Sequence, residues 1–158
     1  MKVVVVFLLL CMAVTIEAAG LDDLEFLIGK WRGVSRGEPG EGISERECTR
    51  ILNDRFIECR TTATYKNEVH VERSIFSFDK RTKKLRLRQF HGEGFVNSYV
   101  EGDPLIFTTV EIENIPDGWR ARETYKAMSP DSWSETFELA MPGKELEVYS
   151  SVVLERVK

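Results

Sequence analysis

The sequence is poor in the residues on which most recognisable chemistry is built. It has two histidines and three cysteines in 158 residues, too few for a cysteine-rich metal module or a disulfide-dense scaffold. It has no Cys-x-x-Cys or His-x-x-x-His pair, no nucleophile elbow and no phosphate-cradling glycine loop. Gly92-Glu-Gly94 lacks the strand-to-helix setting of a dinucleotide fingerprint. Spacing alone therefore points to no metal site. Basic excess is missing too. The 22 Lys and Arg stand against 26 Asp and Glu, and a net charge of -4 excludes a general nucleic-acid binder. No glycosylation acceptor is present, since Asn53, Asn67, Asn97 and Asn114 all fail at the third position. Long apolar runs are absent after residue 20, and helical periodicity is absent after Ile28.

What remains is a chain with 42% hydrophobic and 30% charged residues, which suits one ordered domain and excludes a wholly disordered one. Residues 1–20 stand apart. Lys2 gives a positive start, Val3 to Ile16 is an uncharged apolar run, and Ala18, Ala19 and Gly20 are small. This is the layout of a secretory signal peptide, too short to span a bilayer, with cleavage expected after Ala18 or Gly20. Leu10 before Cys11 is not the small residue that lipid attachment prefers. The expectation is a secreted or periplasmic protein, not stably inserted in a membrane once cleaved, with residues 21–158 as its single domain.

Leu21, Leu24, Leu27 and Ile28 have helical spacing, and Gly29 ends it. Beyond this cap come runs with alternating or β-branched content, separated by Gly, Pro, Asn and Asp turns. Ten strands are expected at 30–36, 43–51, 56–65, 69–78, 85–91, 95–101, 105–113, 119–128, 132–141 and 145–156. The links are short, which makes sequential neighbours antiparallel. A meander of this length would leave two open edges, and closing it removes them. The fold class is all-β: a single antiparallel up-and-down closed barrel of about ten strands with a short N-terminal helical cap. Such a barrel can enclose one small ligand.

The cysteines fit this arrangement. A hairpin centred on Asn53-Asp54 sets Cys48 directly opposite Cys59, which suits a cross-strand disulfide in an exported protein, with two half-buried thiols as the alternative.

Leu24-Glu-Phe-Leu-Ile-Gly-Lys-Trp-Arg-Gly33 resembles the opening of the calycin-type barrels, in particular the ten-stranded nitrobindin-like and fatty-acid-binding-protein-like group. The Gly37–Gly42 link, the hairpin at 51–56, the turn at 78–84 and the segments 89–97 and 113–123 are similar to those of uncharacterised bacterial exported barrel proteins. The resemblance covers the mature chain and implies the fold, but carries no activity. In the haem-binding members a histidine near the C-terminal end holds the iron. No histidine lies between Ser129 and Lys158, so haem is not expected and no cofactor is assigned. Tyr149 offers a phenolate there, or simple packing.

Candidate site residues follow from strand faces. His91 shares a face with Leu85, Leu87 and Gln89, which would line the lumen if the leucines point inward. Glu93 lies two residues on and could orient the imidazole or raise its pKa. His70 faces opposite to Val69 and Val71. On the eighth strand Trp119, Ala121, Glu123 and Tyr125 share one face, and Arg120, Arg122 and Thr124 the other. Inward arginines would hold a ligand carboxylate. An inward Glu123 would need a buried partner, for which Arg88 and Gln89 are available. Three readings result. The first is a barrel binding an apolar or amphipathic, fatty-acid-like molecule through Arg88, Gln89, His91, Arg120, Arg122 and Tyr125. The second is an enzyme using His91 with Glu93 or Glu123 as acid–base groups. The third is a ligand-free barrel that acts as a protein-interaction module.

Overall fold

The computed structural model describes residues 20–66 and 68–158. The proposed signal segment, with Cys11, lies outside the described residues except for Gly20, and so does Asn67.

A short 3-10 helix (Leu21–Leu27) leads into ten strands: β1 (Gly29–Gly37), β2 (Gly42–Ile51), β3 (Phe56–Thr64), β4 (Val69–Asp79) and β5 (Lys84–His91), then β6 (Val96–Glu101), β7 (Ile106–Glu113), β8 (Arg120–Ser129), β9 (Ser132–Ala140) and β10 (Glu147–Arg156). Each pairs antiparallel with its sequence neighbours, and β1 pairs with β10, so the sheet is a closed barrel. Alternation decides which side chains go inside. In β2 buried and exposed residues alternate from Gly42 to Thr49, placing Ser44, Arg46 and Cys48 inward.

Closure depends on Gly33. A Cβ there would lie 2.0 Å from the Val153 carbonyl oxygen across the β1–β10 seam, so only glycine lets the two backbones meet. The hairpin register between β2 and β3 pairs Ile51 with Phe56 and Cys48 with Cys59. The two cysteines are joined by a disulfide, with Cα atoms 4.0 Å apart.

One end of the barrel is plugged. Leu24 and Leu27 of the helical segment are fully buried in a cluster with Trp31, Phe76, Leu85, Phe107, Trp133 and Leu154. The Trp31 indole N–H donates to the Leu27 carbonyl at 2.7 Å, fixing the plug to β1. Phe76, Phe107 and Tyr125 meet edge to face at 5.6–5.8 Å, a favourable arrangement of ring quadrupoles. On the plug side the barrel is therefore a packed core. The space is at the other end, where the β1–β2, β3–β4, β5–β6, β7–β8 and β9–β10 links gather. No helix among the described residues is long and apolar enough to cross a membrane.

Candidate functional site

A cavity of about 550 Å³ occupies the unplugged half of the lumen. Its mouth is apolar, with Phe95, Ile112, Ile115, Trp119, Phe137 and Leu139 among its lining. Deeper in, the lining becomes ionisable. Arg46 stands there with Glu72, Glu123, Glu135, His70 and His91, and Glu68 and Glu93 join nearer the rim. One arginine against five glutamate side chains makes this an acid-rich lumen.

Arg46 from β2 and Glu135 from β9 form a bidentate pair across the lumen, one contact being Nη2 to Oε1 at 3.0 Å. Their side chains are 5% and 12% exposed. The Arg46 guanidinium also sits 5.2 Å from the Trp133 ring centroid. Burial pulls its pKa down, but Glu135 outweighs that and the net shift is upward. Arg46 is thus permanently charged and already partnered. Neighbouring Glu123 is 3% exposed, and the Gln89 amide donates to its Oε1 at 3.1 Å. Burial, then the charges of Glu135 and Glu72, push the Glu123 carboxyl well above the usual carboxylate range, which favours its protonated form.

A second group is built on the β4–β5 ladder. Glu72 lies directly opposite His91, and His70 is two residues further along the same face. His91 Nδ1 is 3.9 Å from Glu72 Oε2, with side chains 7% and 10% exposed. The Ser74 hydroxyl donates to Glu72 Oε1. Asn97 is bonded to His91 Nε2 at 3.2 Å and to the Tyr99 hydroxyl at 2.9 Å. The ring of His91 stacks on Phe95 with centroids 4.0 Å apart. Burial, then the neighbouring His70, lower the His91 pKa to about 4, and Glu93 offsets only part of this.

Several expected site residues sit elsewhere. On β8 the inward face is Ala121, Glu123 and Tyr125. Arg120 and Arg122 point outward. Arg120 donates to the Lys144 carbonyl, and Arg122 forms a bidentate pair with Glu138 on β9. Arg88 is also outside, paired with Glu113 at 2.6 Å. The reason is register. Glu123 lies opposite Phe107 and Phe137, whereas Arg122 lies opposite Glu138, so turning β8 over would bury two guanidinium groups away from their partners. Gln89 and Tyr125 do point inward, but they belong to the packed layer and do not line the cavity. Glu93 bonds His70 Nδ1 at 2.7 Å instead of orienting His91, and the His91 pKa moves down, not up. Tyr149 packs edge-on against Phe137 at the mouth. Sequence reasoning missed Arg46 and Glu72. The alternation of β2 and β4 is the signal that could have found Arg46 and Glu72.

The fold and the site define a class: a closed ten-stranded antiparallel barrel, plugged at one end, with a cavity able to hold a small molecule. Protein-family models and curated proteins give no match to the chain. Solved structures do. The crystal structure of Rv2717c from M. tuberculosis is similar with a TM-score of 0.65 at 16% identity, covering 87% of this chain and 97% of that one. The S-type phycobiliprotein lyase CPES from Guillardia theta is similar with a TM-score of 0.57 at 15% identity, covering 89% of this chain and 94% of that one. At these identities the likeness is one of fold.

Proposed function

We propose that the chain is an exported, calycin-type carrier of an amphipathic small molecule, held in the lumen with its apolar body at the mouth and its polar head on the floor. The cavity of about 550 Å³ carries this reading, because apolar side chains ring its entrance and buried polar atoms wait without partners below. Thr61 Oγ1, His91 Nδ1, Asn97 Oδ1 and Glu123 Oε2 have no hydrogen-bond partner among the described residues, and a ligand head group would satisfy some of them. The acid head of a fatty acid suits this floor poorly. The lumen arginine is occupied by Glu135, and among the described residues no other arginine or lysine lines the cavity to meet an acid head. A neutral or cationic head that donates hydrogen bonds fits better.

The test uses Nile red, a neutral apolar dye, with native mass spectrometry of the purified protein to look for a co-purified molecule. Nile red is expected to bind, with affinity unchanged in Arg120→Ala and Arg122→Ala. Phe137→Ala is expected to weaken binding roughly tenfold, the worth of one lost aromatic wall. A protein that binds no dye and carries no ligand would sink the carrier reading.

Export is part of the proposal. It is supported by the composition of residues 1–20 and by the Cys48–Cys59 disulfide, which suits an oxidising compartment. N-terminal sequencing of the mature protein is expected to begin at Ala19 or Leu21. A mature chain that keeps Met1 and stays in the cytosol would count against it.

A further inference from the structure

We propose that the lumen holds a divalent transition-metal ion on His70, Glu72 and His91. This goes beyond the carrier reading and stands without it, since the three ligands need no organic occupant to complete them.

One ligand atom from each of the three residues lies within 4.8 Å of the others. An ion bound at ~2.0–2.2 Å from each ligand needs them closer, by about 1 Å of side-chain movement. The strands supply the placement, because β-ladder register puts Glu72 opposite His91 and strand periodicity puts His70 on the same face. The set therefore rests on rigid elements and not on a loop.

Each of the three has its own supporting partner. The Glu93 carboxylate accepts from His70 Nδ1 at 2.7 Å, which fixes the tautomer and leaves the Nε2 lone pair free. The Ser74 hydroxyl holds Glu72 Oε1 and leaves Oε2 toward His91. Asn97 holds His91 Nε2. A carboxylate on the far nitrogen of one histidine and an amide on the other is the outer shell that metal-ligating imidazoles carry.

His91 Nδ1 supplies the independent observation. It is buried, has no hydrogen-bond partner among the described residues, and faces Glu72 Oε2 across 3.9 Å. With the Asn97 NH₂ on Nε2, Nδ1 would carry a hydrogen that is too far from Glu72 to bond. The amide has a second orientation. Turned over, the Asn97 oxygen, itself without a partner, accepts from both His91 Nε2–H and the Tyr99 hydroxyl. That arrangement gives the Asn97 oxygen two donors and the Tyr99 hydroxyl an acceptor, and moves the amide NH₂ to the side that has no partner among the described residues. It also aims the Nδ1 lone pair at a carboxylate oxygen, an arrangement that calls for a cation between them.

Two imidazoles and one carboxylate, with remaining positions open to the cavity, select Zn²⁺ or Fe²⁺ over the all-oxygen preference of Mg²⁺ and Ca²⁺. An open coordination position would face whatever enters the lumen.

The test uses the untagged chain, stripped with a chelator and dialysed, then titrated with ZnCl₂ by calorimetry and with CoCl₂ by visible absorption. One ion per chain is expected. His91→Ala and His70→Ala are each expected to weaken binding by more than about 100-fold, and Glu93→Gln by about 10- to 100-fold, as removal of an outer-shell partner does. His70 is part-exposed at the rim, so His70→Ala keeps the core intact, and circular dichroism checks its fold. No Zn²⁺ binding, or Zn²⁺ binding unchanged in both histidine variants, overturns the proposal. Nile red binding is measured on the stripped protein, so failure of the metal site and failure of the carrier reading give separate signals.

Discussion

Arg46→Met is expected to destabilise the barrel by about 3–5 kcal/mol, the cost of breaking a buried ion pair by removing one partner. The loss is not the worth of the pair itself. It comes from leaving Glu135, 12% exposed, without a counter-charge beside Glu123 and Glu72. The guanidinium also packs over Trp133, so the variant loses that contact too. The double variant Arg46→Met/Glu135→Leu is expected to recover most of the loss, because apolar side chains of similar volume can replace a buried pair at little net cost. Urea unfolding of the wild type, the two single variants and the double variant gives the coupling energy directly. An Arg46→Met protein within about 1 kcal/mol of wild type would show that water in the lumen solvates Glu135 as well as the guanidinium does. The pair matters for function as well as stability. It spans the lumen from β2 to β9, and it keeps the lumen arginine from being available to an acidic ligand.

Much of this architecture could be read from residue order, and the part that could not has a physical cause. Alternation and turn chemistry located all ten strands, because an antiparallel meander repeats one local rule along the chain. The cysteine pairing followed from one centred hairpin, and the structure pairs Cys48 with Cys59 in that register. The same arithmetic applied to the Asp79–Lys84 turn places Glu72 opposite His91, so two of the three residues of the metal-type cluster were within reach of the method. His70 then follows from the period of two. The eighth strand was not legible, since both of its faces carry charge and alternation alone cannot rank them. Its orientation is decided by neighbours distant in sequence: Phe107 and Phe137 on the inner face, Glu138 on the outer. The Arg46–Glu135 pair is harder still. It joins residues 89 apart across the lumen, and no ladder register connects them.

The pH dependence of stability is expected to show two buried groups pulling in opposite directions. His91 has its pKa lowered to about 4 in the folded barrel, by burial and then by His70, from an ordinary value of 6.5. Between these values the unfolded chain holds the extra proton. The stabilising contribution is therefore full above pH 6.5 and is lost as pH falls toward 4, on the order of 3 kcal/mol in all. Glu123 has its pKa raised, by burial and then by Glu135 and Glu72, so above about 4.5 the folded chain holds the extra proton. Its contribution is full below 4.5 and is lost as pH rises. Between about pH 4.5 and 6.5 the two slopes oppose, and above 6.5 Glu123 alone lowers stability. Glu123→Gln keeps an acceptor for the Gln89 amide and removes the titration. Its stability is expected to climb from pH 4.5 to 6.5 and to gain on wild type from pH 4.5 upward. His91→Gln is expected to show the complementary fall across the same range. Asp79, lowered to about 2 by hydrogen bonds from Thr82 and Arg81, shifts all the curves alike at low pH and cancels in the differences. Urea unfolding with a chelator present, repeated from pH 4 to 8.5, reads these slopes with the His91 ring free of metal. A Glu123→Gln curve parallel to wild type throughout would show that Glu123 is ionised inside the folded barrel. The lumen floor would then be more strongly anionic than its burial allows, and water would have to reach it.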